Sequence, residues 1–240
     1  MNYAIILAGG RGGRFHGNVP KQFVELTSSP MLVYSMKTAQ VNKNVDSICV
    51  VAPGQYHDEV RKWAEEHKIT KFEFLAESGN ERYQSVYNGL MTLPAKPRDT
   101  VIIMTAVCPF VSQVTMDKLY DALKEWDACI TVIKATDAIT FSNDGKNVNR
   151  TLQKKKLFIQ QGPQIFRYNI LKQAHKAYLA DEERIEVNED SELVLNIGVE
   201  CGMVLGDRYC VKVTFPEDLA IVQALYPLFV KQEERYYDNC

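Results

Sequence analysis

Three residues in from the amino end the chain reads Ala4-Ile5-Ile6-Leu7-Ala8-Gly9-Gly10-Arg11-Gly12-Gly13-Arg14-Phe15. Ala4 to Leu7 is apolar on both faces, as a strand in the middle of a parallel sheet must be. Four glycines in five positions (9, 10, 12 and 13) follow at once. Without Cβ atoms, such a loop lets backbone N–H groups come close to a chain of phosphates. Arg14, and then Lys21 in Pro20-Lys21-Gln22, add positive charge that persists at neutral pH, so a triphosphate is the natural guest, the alternative on the glycines alone being a connector with two solvated cations. The spacing matches neither G-x-x-x-x-G-K-[ST] nor G-x-G-x-x-G.

Working outward, Ile48 to Val51, Phe72 to Leu75, Val101 to Met104 and Cys129 to Ile133 read as further strands. Met31–Ala39, Tyr56–Glu66, Arg82–Met91 and Met116–Trp126 lie between them and carry apolar residues at helical spacing. Strand and helix alternate, which predicts a three-layer, doubly wound α/β fold with a mostly parallel sheet. From Ala138 to Ile159 the chain is polar, with an Asn143-Asp144-Gly145-Lys146 turn signal between strand-like flanks, so a protruding β-hairpin arm is expected, packed on a second subunit. Beyond it, Asn169–Leu179 and Ser191–Asn196 read as helices and Val199–Leu205 and Val211–Thr214 as strands. Pro216 opens a last helix ending near Leu228. One domain over 1–230 with a solvated polar tail at 231–240 is the expected organisation.

The charge balance, 28 basic against 30 acidic side chains, is too even to announce a polyanion-binding surface, so nucleic acid is not expected as the main partner. A hydrophobic content of 46% and a charged content of 24% are those of an ordinary globular domain. The longest uncharged run, Val101 to Met116, is broken by Pro109 and too short to span a bilayer; the amino end lacks the basic start and long apolar core of a secretory signal. A cytoplasmic protein without membrane association is expected. Cysteines 49, 108, 129, 201, 210 and 240 form no C-x-x-C pair and no metal-like spacing with histidines, so neither disulfides nor zinc are expected. His16 is incidental to the loop on this reading, and His57, His67 and His175 lie in polar helical contexts facing solvent.

The loop with its Gly-x-Gly-x-Arg spacing and later lysine resembles the sugar-phosphate nucleotidylyltransferases. Three further segments narrow the resemblance: Ser78-Gly79-Asn80-Glu81-Arg82-Tyr83-Gln84-Ser85-Val86 for G-G-x-x-R-x-x-S-V, Gln161-Gly162-Pro163-Gln164-Ile165-Phe166 for Q-T-P-Q-x-F, and Lys212-Val213-Thr214-Phe215-Pro216-Glu217-Asp218-Leu219 for K-I-T-x-P-E-D-L. In this order, spread over nearly the whole chain, they are similar to the cytidylyltransferases that act on methylerythritol phosphate in isoprenoid synthesis and on ribitol or glycerol phosphate in wall-polymer synthesis. The resemblance implies that Leu7, Ala8, Gly9, Gly10, Gly12 and Ala106 contact the nucleotide, that Gly79, Asn80 and Ser85 read the cytosine, and that Arg82 braces their loop. On residue type alone Ser85 is an ordinary helix residue and Arg82 a surface charge. Arg14 and Lys21 would neutralise the triphosphate and Lys212 the acceptor phosphate, with Lys154 reaching in from the arm and Mg²⁺ arriving on CTP. A phosphate monoester is mostly dianionic at neutral pH, which leaves no need for a general base.

The chain leaves the family on the acceptor side. H-D-A-x-R-P is replaced by Met104-Thr105-Ala106-Val107-Cys108-Pro109, D-T-I by Asp137-Ala138-Ile139, and T-D-D by Asn188-Glu189-Asp190. Thr105, Cys108, Ala138 and Asn188 then become the acceptor contacts. Because the nucleotide side stays intact, the expected reaction is CMP transfer from CTP to a phosphorylated polyol of the glycerol or ribitol type, for capsule or wall polymer, in a homodimer joined through the arm. The alternatives are methylerythritol phosphate as acceptor, UTP as donor, and a nucleotide-binding module without turnover.

Overall fold

The structure is a computed structural model and describes residues 1–10, 15 and 19–238. Seven strands form one sheet in the order β3-β2-β1-β4-β8-β5-β9. These are β1 (Asn2–Leu7), β2 (Ser47–Ala52), β3 (Phe72–Glu77), β4 (Thr100–Thr105), β5 (Ala128–Lys134), β8 (Phe158–Arg167) and β9 (Gly202–Leu205). β1 pairs in parallel with β2 and with β4, while β8 runs antiparallel to both of its neighbours. The mostly parallel, doubly wound sheet is thus as expected.

Side chains of β1 alternate between two apolar layers. Ala4 and Ile6 join α1 (Met31–Val41), α2 (His57–Glu66) and α4 (Gln113–Ala122) on one face. Tyr3, Ile5 and Leu7 join α3 (Arg82–Thr92), α5 (Tyr168–Ala180) and α6 (Asp190–Asn196) on the other. Both faces of the sheet are therefore dry, which is why its central strands read as unbroken apolar runs. Chain progression reverses between β1 and β4, and in open α/β sheets the crevice at the carboxyl ends of the strands on either side of such a reversal is where ligands bind.

The arm is present as β6 (Thr140–Phe141) paired antiparallel to β7 (Arg150–Thr151). Its turn is held by the Asp144 carboxylate, which accepts from the Lys146 and Asn147 backbone N–H groups and is thereby held well below the usual carboxylate range, while Gly145 takes φ 69°. Phe141, Val148, Phe158 and Ile159 are exposed along it. Among the described residues, no helix is long and apolar enough to cross a membrane.

Two expectations at the carboxyl end are corrected. Val211 to Thr214 is not a strand; it follows an irregular path with Val213 buried, its N–H donating to the Val107 carbonyl at 2.9 Å. The last helix, α7, runs Pro216–Asp238 and so continues past Leu228 through the largely exposed polar segment Lys231 to Asp238. Val222 and Phe229 bury against Tyr34 and Phe110, and beyond them polar groups keep the helix docked. The Tyr236 hydroxyl donates to Asp117 at 2.6 Å, and the Gln113 N–H at the start of α4 donates to Glu233 at 3.3 Å. These anchors are polar side chains, so a reading of apolar periodicity passes over them.

Burial pushes the Glu233 carboxyl up to about 7; the Gln113 N–H works against the rise and the nearby Asp207 adds to it. Between its ordinary 4.5 and that value the unfolded chain has released a proton that the folded chain still holds, so stability falls as pH rises through the window. Melting followed between about pH 5 and pH 8 should show a larger loss in the wild type than in Glu233→Gln, which has no such proton to lose.

Candidate active site

The chain leaves β1 at Leu7, and its last pairings hold the start of the loop to both neighbouring strands. The Ala8 N–H donates to Val51 at 2.7 Å and the Ala106 N–H to Leu7 at 3.0 Å. Residues 8–10 turn into the crevice. A Cβ on Gly9 would stand 2.4 Å from the Ser78 Cβ, and one on Gly79 2.3 Å from the Gln84 Cβ, so glycine is required at both positions for these loops to pack. Between them lies a cavity of about 290 Å³.

Of the residues singled out in the sequence, Leu7, Ala8, Gly9, Gly10, Lys21, Gly79, Asn80, Arg82, Ser85, Thr105 and Lys212 all line this cavity. They come from five separate segments of the chain. Arg14 and Gly12 lie outside the described residues, as does His16. Ala106 is fully buried beside the cavity and serves it through its backbone bond to Leu7.

Other expectations are corrected. Cys108 is buried in the same apolar cluster as Cys210, whose Sγ donates to the Gly162 carbonyl at 2.9 Å; Cys108 packs into the core and does not line the cavity. The neighbouring Cys210 thiol, with the nearby Lys212 and Lys21 charges, holds the Cys108 thiol below its ordinary value despite burial. Ala138, Asn188 and Lys154 are exposed and do not line the cavity of their own chain, which neither meets nor opposes the expected reach of the arm into a second subunit; the Lys154 ammonium donates to the Thr136 carbonyl at 3.0 Å. His175, expected in solvent, is completely buried.

Local folding explains how the charged groups are aimed. Pro20 precedes a single 3₁₀ turn, Lys21–Phe23, in which Lys21 and Gln22 diverge. The Lys21 ammonium donates to the Val213 carbonyl at 3.0 Å, next to Lys212. The Gln22 side chain is buried, and its Nε2 donates to the carbonyls of Ala8 at 2.6 Å and Gly10 at 3.0 Å. With these carbonyls engaged from behind, Gln22 fixes the path of the glycine loop. The sequence reading quoted Gln22 without giving it a role.

The second glycine loop is tied to α3. Glu81 caps the helix in a reciprocal box with Gln84, whose Oε1 accepts from the Asn80 and Glu81 N–H groups at 2.9 and 3.0 Å. Ser85 accepts from the Gly79 N–H at 3.0 Å and donates to the Glu81 carbonyl at 3.3 Å. Its hydroxyl thus braces the loop, the task expected of Arg82. Arg82 instead pairs with Asp190 at 2.6 Å and Glu189 at 3.0 Å. Burial works against the Arg82 charge, but Asp190 and then Glu189 outweigh it and raise its pKa. Burial would likewise raise Asp190, yet Arg82 and a bond from His175 hold it below the ordinary carboxylate value. Among the described residues no group of three or more His, Cys, Asp or Glu is placed to hold a metal ion. Glu81 offers the cavity a carboxylate already engaged in its helix cap.

Comparison with known proteins follows this geometry closely. The family described as IspD, 2-C-methyl-D-erythritol 4-phosphate cytidylyltransferase, matches residues 2–227. The 2-C-methyl-D-erythritol 4-phosphate cytidylyltransferase of Geobacter metallireducens is 32% identical over 237 residues, covering 96% of this chain and 98% of that one. The protein of the same name from Lachnospira eligens is 30% identical over 222 residues, or 92% and 97% of the two chains. Among solved structures, 4-diphosphocytidyl-2C-methyl-D-erythritol synthase from Anaerococcus prevotii superposes with a TM-score of 0.82 at 25% identity, covering 94% of this chain and 96% of that one.

Gln22→Met keeps the side-chain volume but strands the Ala8 and Gly10 carbonyls. It should lower unfolding stability by about 2 kcal/mol, the scale of buried polar groups left unpaired, and speed amide exchange at Gly9 and Gly10. Denaturant titration and exchange measurements check the two effects.

Proposed function

The chain belongs to the IspD family and is a CTP-dependent cytidylyltransferase, and we propose that the acceptor of its cytidylyl group is 2-C-methyl-D-erythritol 4-phosphate. The expectation of a glycerol or ribitol phosphate acceptor for wall polymer rested on the replaced segments at 104–109, 137–139 and 188–190 beside an intact nucleotide side. Relatives matching over more than nine-tenths of the chain act, by their names, on methylerythritol phosphate, and the acceptor reading moves accordingly.

The likeness to these relatives over nearly the whole chain carries the choice of acceptor, and the meeting of the glycine loop, Lys21 and Lys212 in one cavity at the carboxyl ends of β1 and β4 supports the transfer itself. In the reaction a phosphate oxygen of the acceptor attacks the α-phosphorus of CTP. The new P–O bond forms as the bond to the β-phosphate oxygen breaks, and pyrophosphate leaves with the electron pair. Both partners are polyanions, so the main barrier the protein must lower is their repulsion. One close cation–phosphate contact is worth about 4 kcal/mol at an effective dielectric of about 20. Lys21 and, from outside the described residues, Arg14 are assigned to the triphosphate, and Lys212 to the acceptor phosphate. Gly79 and Asn80 are assigned to the base, their loop held by Ser85. The donor set favours Mg²⁺ carried by phosphate oxygens over one caged by side chains, in keeping with that ion's preference for few protein ligands. Thr105 stands at the cavity wall where the family has aspartate, and its hydroxyl is assigned to the acceptor. Lys154 and Ala138 are assigned to the neighbouring site of a second copy reached through the arm; sedimentation of the free protein should accordingly give a dimer.

Pyrophosphate release with CTP and Mg²⁺ tests the reading. Methylerythritol phosphate is expected to be turned over well ahead of glycerol or ribitol phosphate. Turnover of either polyol with none on methylerythritol phosphate would restore the wall-polymer reading, and CTP binding without turnover on any acceptor would make the protein a nucleotide-binding module. Lys21→Ala should reduce kcat by about 100-fold or more, as when one preorganised donor to a transition state is lost.

A further inference from the structure

The geometry points to His175 as a positioning residue of the nucleotide site: it holds Asp190, and Asp190 holds Arg82 at the cavity wall. This rests on the reading of the cavity as the CTP site. Arg82 is the first residue of α3, where the helix dipole disfavours a cation. What keeps it there is the pair of carboxylates that begins α6, Glu189 and Asp190. Glu189 is secured separately, by the Gln164 amide at 2.6 Å and by its own capping box with Glu192. Asp190 is fully buried, with one oxygen facing Arg82 at 2.6 Å and the other 3.0 Å from the His175 Nε2. A carboxylate cannot donate, so this nitrogen carries the hydrogen.

His175 comes from α5 and cannot swing away. It has no exposed surface, and the Tyr87 ring of α3 lies against it with centroids 6.1 Å apart. Beside this contact Tyr83 and Tyr178 meet edge to face at 5.0 Å and close the same α3–α5 seam. If the His175 donor is lost, one Asp190 oxygen has no partner in a dry environment. The carboxylate must then turn both oxygens toward Arg82 or take up a proton. Either change displaces the guanidinium that faces the cavity, without touching Lys21, Lys212 or the glycine loop. The effect is therefore felt in CTP binding more than in the chemical step.

The test compares two amides of different reach. His175→Gln can place its Nε2 near the position of the lost ring nitrogen, whereas His175→Asn is one methylene too short. H175N is expected to raise KM for CTP by about tenfold, the scale of one hydrogen bond to a charged group, with kcat within about threefold; H175Q is expected to remain within about threefold of wild type in both. Tyr178→Leu, which thins the same seam through its Tyr83 contact without touching His175 or Asp190, should lower the melting temperature and leave KM for CTP unchanged. Equal behaviour of H175N and H175Q, or an equal rise in KM in Y178L, overturns the inference. If H175N does not fold, Asp190→Asn takes its place with the same expected rise, and a normal KM for CTP there overturns the inference. Calorimetric titration with CTP alone ranks the variants whatever the acceptor proves to be. Wild-type protein that binds no CTP defeats instead the reading of the cavity.

Discussion

β1 is bonded on both edges and buried on both faces, and every feature of the site depends on that confinement. A strand so placed cannot shift its register or tilt without dragging two neighbours along, so the point at which the chain leaves it is fixed. The reversal of chain progression between β1 and β4 opens a crevice at that point, and the glycine turn is what the chain does on reaching it. The loop after β3, the turn that carries Lys21 and the segment that carries Lys212 are then positioned around a rigid mouth.

Strand and helix alternation was legible because each buried strand is a short apolar run and each covering helix has one apolar stripe. The cavity wall proposed for the nucleotide was legible for a related reason: close packing of loop backbone demands glycine, and a polyanionic ligand would demand lysine or arginine, so both leave their mark in residue type. Lys21, Lys212 and Gly79 are far apart in sequence yet line one cavity as anticipated. The polar network behind that wall was not legible. His175 sits in a helix whose sequence looks solvent-facing, and only the fold reveals that Asp190 and Tyr87 close over it. The docking of α7 beyond Leu228 was hidden in the same way, since it depends on Glu233 and Tyr236 and not on a continued apolar stripe.

The acceptor side shows a different limit. Cys108 occupies the position of a family arginine, whose charge it cannot supply, and its place in the motif alone suggested that it contacts the acceptor. In the fold it is buried in the same apolar cluster as Cys210, so that position contributes packing in place of charge. A substitution that changes size and polarity together can re-aim a side chain, and a motif comparison, which aligns positions, does not register direction. The neighbouring Thr105 keeps its outward direction at the end of β4 and still lines the cavity.

Val213 has a wider consequence. Its carbonyl receives the Lys21 ammonium, its N–H joins the loop after β4, and α7 begins three residues later. Three parts of the molecule, brought together from opposite ends of the chain, thus share one peptide as a common rivet. The carboxyl-terminal helix is therefore mechanically continuous with the mouth of the cavity, and the length of the short connection before it is under the same geometric tolerance as the residues that line that cavity.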